Sequence, residues 1–283
     1  ARDAFNPDGA FMSAADSALR YAANRPPRER ALIEGYHAIT RADLPRARTT
    51  LQALVAEDSL RADAWYWLGF ASQYDLTLRR DAAGREVMPA DLTLAMRAYT
   101  RAIALDGSGN RFYLQLAQLL SLAGLRDAQG LPAYRAPPPN TFQSVYLRPP
   151  VRYYQPLLRG ETLALVPLDS IAALPPAQLD SLRQAARDRA GLVVRRWITV
   201  APDEGTAYLM LASLEFADKS YDGALRAIGK AESLQAFTQA PIPLQRLGVL
   251  MAARRFEQAG VVGDSLAPLG AAPAALASPL FGG

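Results

Sequence analysis

Ala201-Pro202-Asp203-Glu204-Gly205-Thr206-Ala207-Tyr208-Leu209-Met210-Leu211-Ala212, followed at a distance by Ala224, Ile228 and Ala231, decides the fold of this chain of 283 residues. Residues three and four apart are neighbours on a helix surface, so Tyr208, Leu211 and Ala212 share one helical face. Ala224, Ile228 and Ala231 line the facing side of a second helix. Alanines at the crossing let the two backbones approach. Pro202 cannot continue a preceding helix, and Asp203 and Glu204 suit the positive end of the next one. The spacing predicts a helical hairpin.

The same pattern returns elsewhere at a fixed offset. Thirty-four positions separate Ala31 from Trp65, with Gly35, Ala47 and Leu51 between them as a small, a small and a large residue. Trp65, Leu68 and Gly69 open the next copy. Its partner helix, at Ala95, Tyr99 and Ala102, comes into phase once residues 78–91 are read as a loop insertion. Tyr113, Leu116 and Ala117 open a third pair, whose second helix carries Ala190, Val194 and Trp197, with residues 122–177 standing between. A last copy uses Leu244, Leu247, Gly248 and Ala259. Phe11, Ala14, Ala15, Ala18, Leu19 and Ala22 mark an amphipathic lead helix within residues 1–27. The reading is a single domain, with repeats over 28–121 and 178–267, two insertions, and an Ala/Pro/Gly tail over 268–283.

This pattern resembles the tetratricopeptide repeat, of which Trp65, Leu68 and Gly69 are the most specific match. The resemblance implies an all-α, right-handed α-solenoid of about five helix pairs that binds peptides on a concave side lined by the first helix of each pair. By phase, the residues expected on that groove are Tyr36, Tyr66, Phe70, Gln73, Tyr74, Gln118 and Phe216. Trp65, Tyr99, Tyr113, Trp197 and Tyr208 are expected in the core. Relatives that hold a chaperone C-terminus gather lysine, arginine and asparagine into a carboxylate clamp. Here the matching positions are Leu32, Tyr36, Asp63, Tyr66 and Phe70, which do not fit that role and suit an extended apolar or proline-containing segment. The run from Arg25 to Tyr36, followed by Ala64 to Gly69, is also similar to repeat regions attached to bacterial serine/threonine kinases and transcriptional regulators.

The longer insertion holds ten of the twenty-one prolines. Pro137-Pro138-Pro139, Pro149-Pro150 and Pro175-Pro176 favour extended, polyproline-like backbone, while Thr162 to Val166 reads as a short strand. Its candidate binding residues are Tyr146, Arg148, Arg152, Tyr153 and Tyr154. Three arrangements stay open for it: seated in the chain's own groove, reaching out as a partner-binding arm, or mobile.

Catalytic arrangements fail on inventory, because the chain has no cysteine and one histidine, His37. No G-x-S-x-G elbow, phosphate-cradling glycine loop or metal-ligand spacing is present. The reading is a protein with no enzymatic activity, cofactor or metal. The net charge of +4 comes from 31 basic and 27 acidic residues, interspersed as in Arg28-Glu29-Arg30, which describes solvated helix faces and not a stripe that tracks nucleic-acid phosphates. No apolar run reaches the roughly twenty residues needed to span a membrane. Export is the expected localisation, from a first residue that is not methionine, with a cytoplasmic one as the alternative. The expected function is a scaffold that binds a protein segment through the groove and the insertion. The alternative is a structural subunit that joins copies of itself or a larger assembly.

Overall fold

The computed structural model describes residues 9–125, 131–135, 150–236 and 241–266. Helices α1 (Gly9–Ala22), α2 (Pro27–Thr40), α3 (Leu44–Glu57) and α4 (Ala62–Gln73) are followed by strands β1 (Thr77–Arg80) and β2 (Glu86–Val87), then by α5 (Leu92–Leu105) and α6 (Asn110–Gly124). Strands β3 (Leu131–Arg135), β4 (Arg152–Arg159) and β5 (Thr162–Pro167) lead through the short α7 (Leu168–Ala172) to α8 (Pro176–Val200). The last helices are α9 (Gly205–Ala217), α10 (Tyr221–Ser233), α11 (Ile242–Ala252) and α12 (Phe256–Leu266). The described residues up to Phe112, with 131–135 and 150–172, form one compact unit, and the remainder form a second. The fold is mainly helical: among the described residues a lead helix is followed by five helix pairs, α2/α3, α4/α5, α6/α8, α9/α10 and α11/α12.

The core follows the helical period. Ala47, Leu51 and Leu54 of α3 and Ala64, Leu68 and Ala71 of α4 are buried together in the first unit. Ala212, Ala224 and Ile228 do the same in the second, where Tyr113 and Trp197 also stack with ring centroids 6.4 Å apart. Tyr99, Tyr113 and Trp197 are fully buried, as their phase predicts. Trp65 and Tyr208 are only half-buried, a correction with a common cause. Trp65 Nε1 donates to the Ser59 carbonyl at 3.0 Å and Tyr208 Oη to the Pro202 carbonyl at 3.1 Å. In each case the aromatic ring ties its helix to the chain six residues earlier, and a ring with a polar handle does this best at the edge of the core.

One turn recurs between the helices of three pairs. Ala42, Lys219 and Arg254 have φ of 57°, 61° and 58°. The amides that follow them return to the carbonyls of Ala38, Glu215 and Leu250 at 2.8–2.9 Å. A single left-handed residue thus reverses the chain and satisfies the last carbonyls of the first helix. For a residue with a Cβ this conformation costs about 1–2 kcal/mol, which the returned hydrogen bonds offset. In the second pair, Tyr74 bonds back to Phe70 as Arg41 does to His37, and Asp91 caps α5 through the Leu94 amide as Asp43 caps α3 through Arg46. Residues 75–90 therefore stand where Ala42 alone stands in the first pair, so the interruption begins and ends slightly earlier than 78–91.

The two interruptions meet in one sheet of order β2-β1-β3-β4-β5. β1 pairs in parallel with β3, Thr77 opposite Tyr134, and every other pairing is antiparallel. Within the second interruption β3 and β4 are strands that the sequence did not announce, whereas Thr162–Val166, expected as a short strand, falls within β5. Pro175 and Pro176 belong to the start of α8, since a proline at the first helical position lacks only an amide that would be unpaired anyway. Pro137-Pro138-Pro139 lies outside the described residues. Leu78, Ala133, Leu157, Leu158 and Leu163 are the buried side chains of the sheet, which belongs to the first unit. Thr93 of α5 fastens its edge: its hydroxyl accepts from the Leu163 amide at 3.0 Å and donates to the Leu163 carbonyl at 3.1 Å.

The lead helix is held by Ala15 and Ala22, both buried, and by a charged cluster. Asp16 accepts from Arg41 and lies 2.8 Å from His37 Nε2. Its carboxyl is held below the usual value of 3.8, first by Arg41 and then by His37. A depressed carboxylate contributes stability above its unfolded value, and loses it as pH falls through the folded one. Wild type is therefore expected to unfold at a higher temperature than Asp16→Asn at about pH 6, with the gap closing below about pH 3.8. A gap that persists at about pH 2.5 would show that the cluster does not carry the difference.

Candidate functional site

An aromatic cluster runs across the first helices of the first unit. Tyr66, Trp67, Phe70 and Tyr74 follow one another on and just beyond α4 at spacings of one, three and four, which places them along adjoining strips of the helix surface. Trp67 meets Tyr36 of α2 edge-on with centroids 4.7 Å apart, and it also meets Tyr66 at 4.8 Å and Phe70 at 5.6 Å. Phe70 continues to Tyr74 at 4.6 Å. On the other side Tyr66 meets Phe112, in the opening turn of α6, at 5.4 Å. These tilted and edge-to-face contacts are the arrangement that ring quadrupoles favour.

Arg111 covers this cluster. Its guanidinium lies 4.7 Å from the centroid of Tyr66, 5.2 Å from that of Phe112 and 6.0 Å from that of Trp67. A cation over ring faces gains about 0.5–2 kcal/mol. Among the described residues Arg111 makes no ion pair, and neither the Trp67 indole N–H nor the Tyr66 hydroxyl makes a hydrogen bond. Burial pushes the Tyr66 and Tyr36 hydroxyls above their usual value, and the nearby Arg111 partly opposes this at Tyr66. Both are therefore neutral at physiological pH and act as hydrogen-bonding groups. The combination is an apolar, aromatic patch edged by donors.

The expected groove residues divide. Tyr66, Phe70 and Gln73 are buried, at 5%, 1% and 3% exposure, and are not open groove lining. Tyr66 lies beneath Arg111 and Phe112, and the Gln73 side-chain carbonyl accepts the Tyr99 hydroxyl at 2.9 Å, which makes it a polar part of the core. Tyr36 and Tyr74 are half-buried. Gln118, exposed, and Phe216, half-buried against Tyr221 at 6.0 Å, belong to the second unit. In the insertion, Arg152 and Tyr153 are exposed on β4 and Tyr154 is half-buried, whereas Tyr146 and Arg148 lie outside the described residues. Trp67 is the member that sequence reading missed, because it falls between the core and inward phases; Arg111 stands at an inward position by phase but was not singled out as a binding residue. The signal for both was the unbroken triplet Trp65-Tyr66-Trp67 facing an arginine next to Phe112.

Among the described residues no group of three or more His, Asp or Glu side chains is placed to hold a metal ion, and no helix is long and apolar enough to cross a membrane. The chain matches no protein-family model and no curated protein. Solved structures similar to it include the crystal structure of MamA, at 18% identity and a TM-score of 0.43 over 80% of this chain and 86% of that one. Another is PilF of Pseudomonas aeruginosa, at 16% identity and a TM-score of 0.33 over 90% and 93%. A third is Acl4, an assembly chaperone of RpL4, at 13% identity and a TM-score of 0.32 over 85% and 89%.

Proposed function

We propose that this chain is a non-catalytic scaffold whose aromatic face, Tyr36, Trp67 and Arg111 above the buried Tyr66 and Phe70, binds an extended segment of a protein partner. The observation that carries the reading is Arg111, stacked on three rings with its donors unspent on any carboxylate among the described residues. Rings supply contact area at small entropic cost, and the fixed guanidinium and indole N–H supply direction to a partner's carbonyls. Arg152 and Tyr153, exposed on β4, are a second contact for the same partner. The similarity to repeat regions attached to bacterial kinases and transcriptional regulators favours such a docking role.

Tyr66 and Phe70 are too buried to serve as probes of binding, because their loss would disturb the core. The test is capture of partners from the native source by wild type and by a Trp67→Ala, Arg111→Ala double variant of unchanged helical content. The variant is expected to retain its partner at least about tenfold less well, as truncating a central aromatic or arginine anchor does. Equal retention would remove the aromatic face from the function. A second reading, self-association, is favoured by Phe256 and Val261, which are 61% and 70% exposed on the last helix pair. Concentration-dependent growth in light scattering distinguishes it.

A further inference from the structure

A second surface of the first unit, separate from the aromatic face, lies along the free edge of β5. The alternation of an antiparallel ladder decides what that edge offers. Both main-chain groups of Leu163 bond to Thr93, so they point away from β4, and those of Leu165, two residues on, point the same way. Two prolines agree with this register: Pro156 stands opposite Leu165 and Pro167 opposite Tyr154, both at positions where no bond joins β4 and β5. Among the described residues the Leu165 N–H and C=O meet no partner. They open into a cleft of about 600 Å³ that is also lined by Arg48, Gln52, Met88 and Pro89.

The cleft is built for main chain. Thr93 already occupies the position that one residue of a neighbouring strand would take, so the next such residue would sit against Leu165. Arg48 supplies the positive charge of the cleft. Arg48 gives one N–H to the Pro89 carbonyl at 2.6 Å and makes no ion pair among the described residues. The one carboxylate lining the cleft among the described residues, that of Asp91, is engaged in capping α5 through the Leu94 amide at 2.8 Å. We infer that this cleft accepts an extended, acidic segment of a protein partner as a sixth strand, with main chain paired to Leu165 and a carboxylate on Arg48.

The experiment selects from a displayed pool of random peptides of about twelve residues on the intact chain, and follows the enriched peptides by amide hydrogen exchange. Peptides containing Asp or Glu beside β-branched residues are expected. They should slow exchange of the Leu165 amide at least about tenfold and leave that of Leu163, already bonded to Thr93, unchanged. Leu165→Pro removes only the outward N–H, and Arg48→Glu reverses the charge; each should weaken binding at least about tenfold, while Trp67→Ala should have no effect. Should Leu165→Pro not fold, Leu165 exchange and Arg48→Glu decide. The inference is overturned if no peptide is enriched, if bound peptides leave Leu165 exchange unaltered, or if neither charge reversal nor proline weakens them. It is equally overturned if the Leu165 amide is already protected in the free chain, because the edge is then covered by the chain itself.

Discussion

Trp197→Ala is expected to lower the unfolding free energy by about 3–5 kcal/mol, the range for truncating a fully buried large aromatic. Trp197 is the largest fully buried side chain, at 1% exposure, and its flat stack on Tyr113 joins α8 to α6. Ala190 and Val194, its neighbours on the same helical face, are at 0% and are too small to fill the space it leaves. Helices α6 and α8 are not joined by the one-residue turn that fastens three of the other pairs, so packing must supply their registration. Arg187 adds to it with a hydrogen bond to the Gly124 carbonyl at 2.8 Å. Chemical denaturation followed by circular dichroism measures the change. A loss below about 1 kcal/mol would mean that the site collapses around the smaller residue.

Gly69→Ala is expected to cost about 2–3 kcal/mol, at the upper end for overpacking a tight core. This exceeds the roughly 1 kcal/mol gained by placing alanine for glycine within a helix. A Cβ at Gly69 would lie 2.7 Å from Tyr99 Cε1 and 2.9 Å from Cδ1, closer than carbon atoms can approach. The ring has nowhere to go: Tyr99 is at 0% exposure and its hydroxyl is bonded to Gln73. Moving it would strand a buried carbonyl as well. Tyr99→Leu in the Gly69→Ala background should recover part of the loss, and the coupling in that double-mutant cycle measures the clash. Strictly additive effects would show that the two residues do not meet.

The helix pairs were legible because their information is local. Ala212, Ala224 and Ile228, or Leu51, Leu68 and Tyr99, obey a 3.6-residue period and a repeat offset that any window of the chain displays. The aromatic site was legible only in part. Phase put Tyr66 and Phe70 on an open groove, whereas both are buried, in contact with Trp67, and Tyr66 also meets Phe112, more than forty residues further on; a periodic pattern carries no such contact. The sheet was harder still. Thr162–Val166 showed its strand through alternation and β-branching, but pairing Thr77 with Tyr134 joins two segments that each read as an interruption. Only the position of both breaks, within successive helix pairs at the change from first to second helix, held a clue that they emerge side by side.

The recurring turn has a wider consequence for how such a chain can be altered. Tyr74 bonds back to Phe70 as Arg41 does to His37, and Asp91 caps its helix as Asp43 does, although sixteen residues separate one pair and a single residue the other. Once the two flanks are clamped, lengthening the segment between them adds only a slowly growing loop-closure cost, about 0.6 kcal/mol for each doubling. The helix stack therefore behaves as a socket board. At Ala42, Lys219 or Arg254 a foreign segment can be plugged in while the helices around it keep their registration, and residues 75–90, with β1 and β2, are what this chain already carries in one such socket.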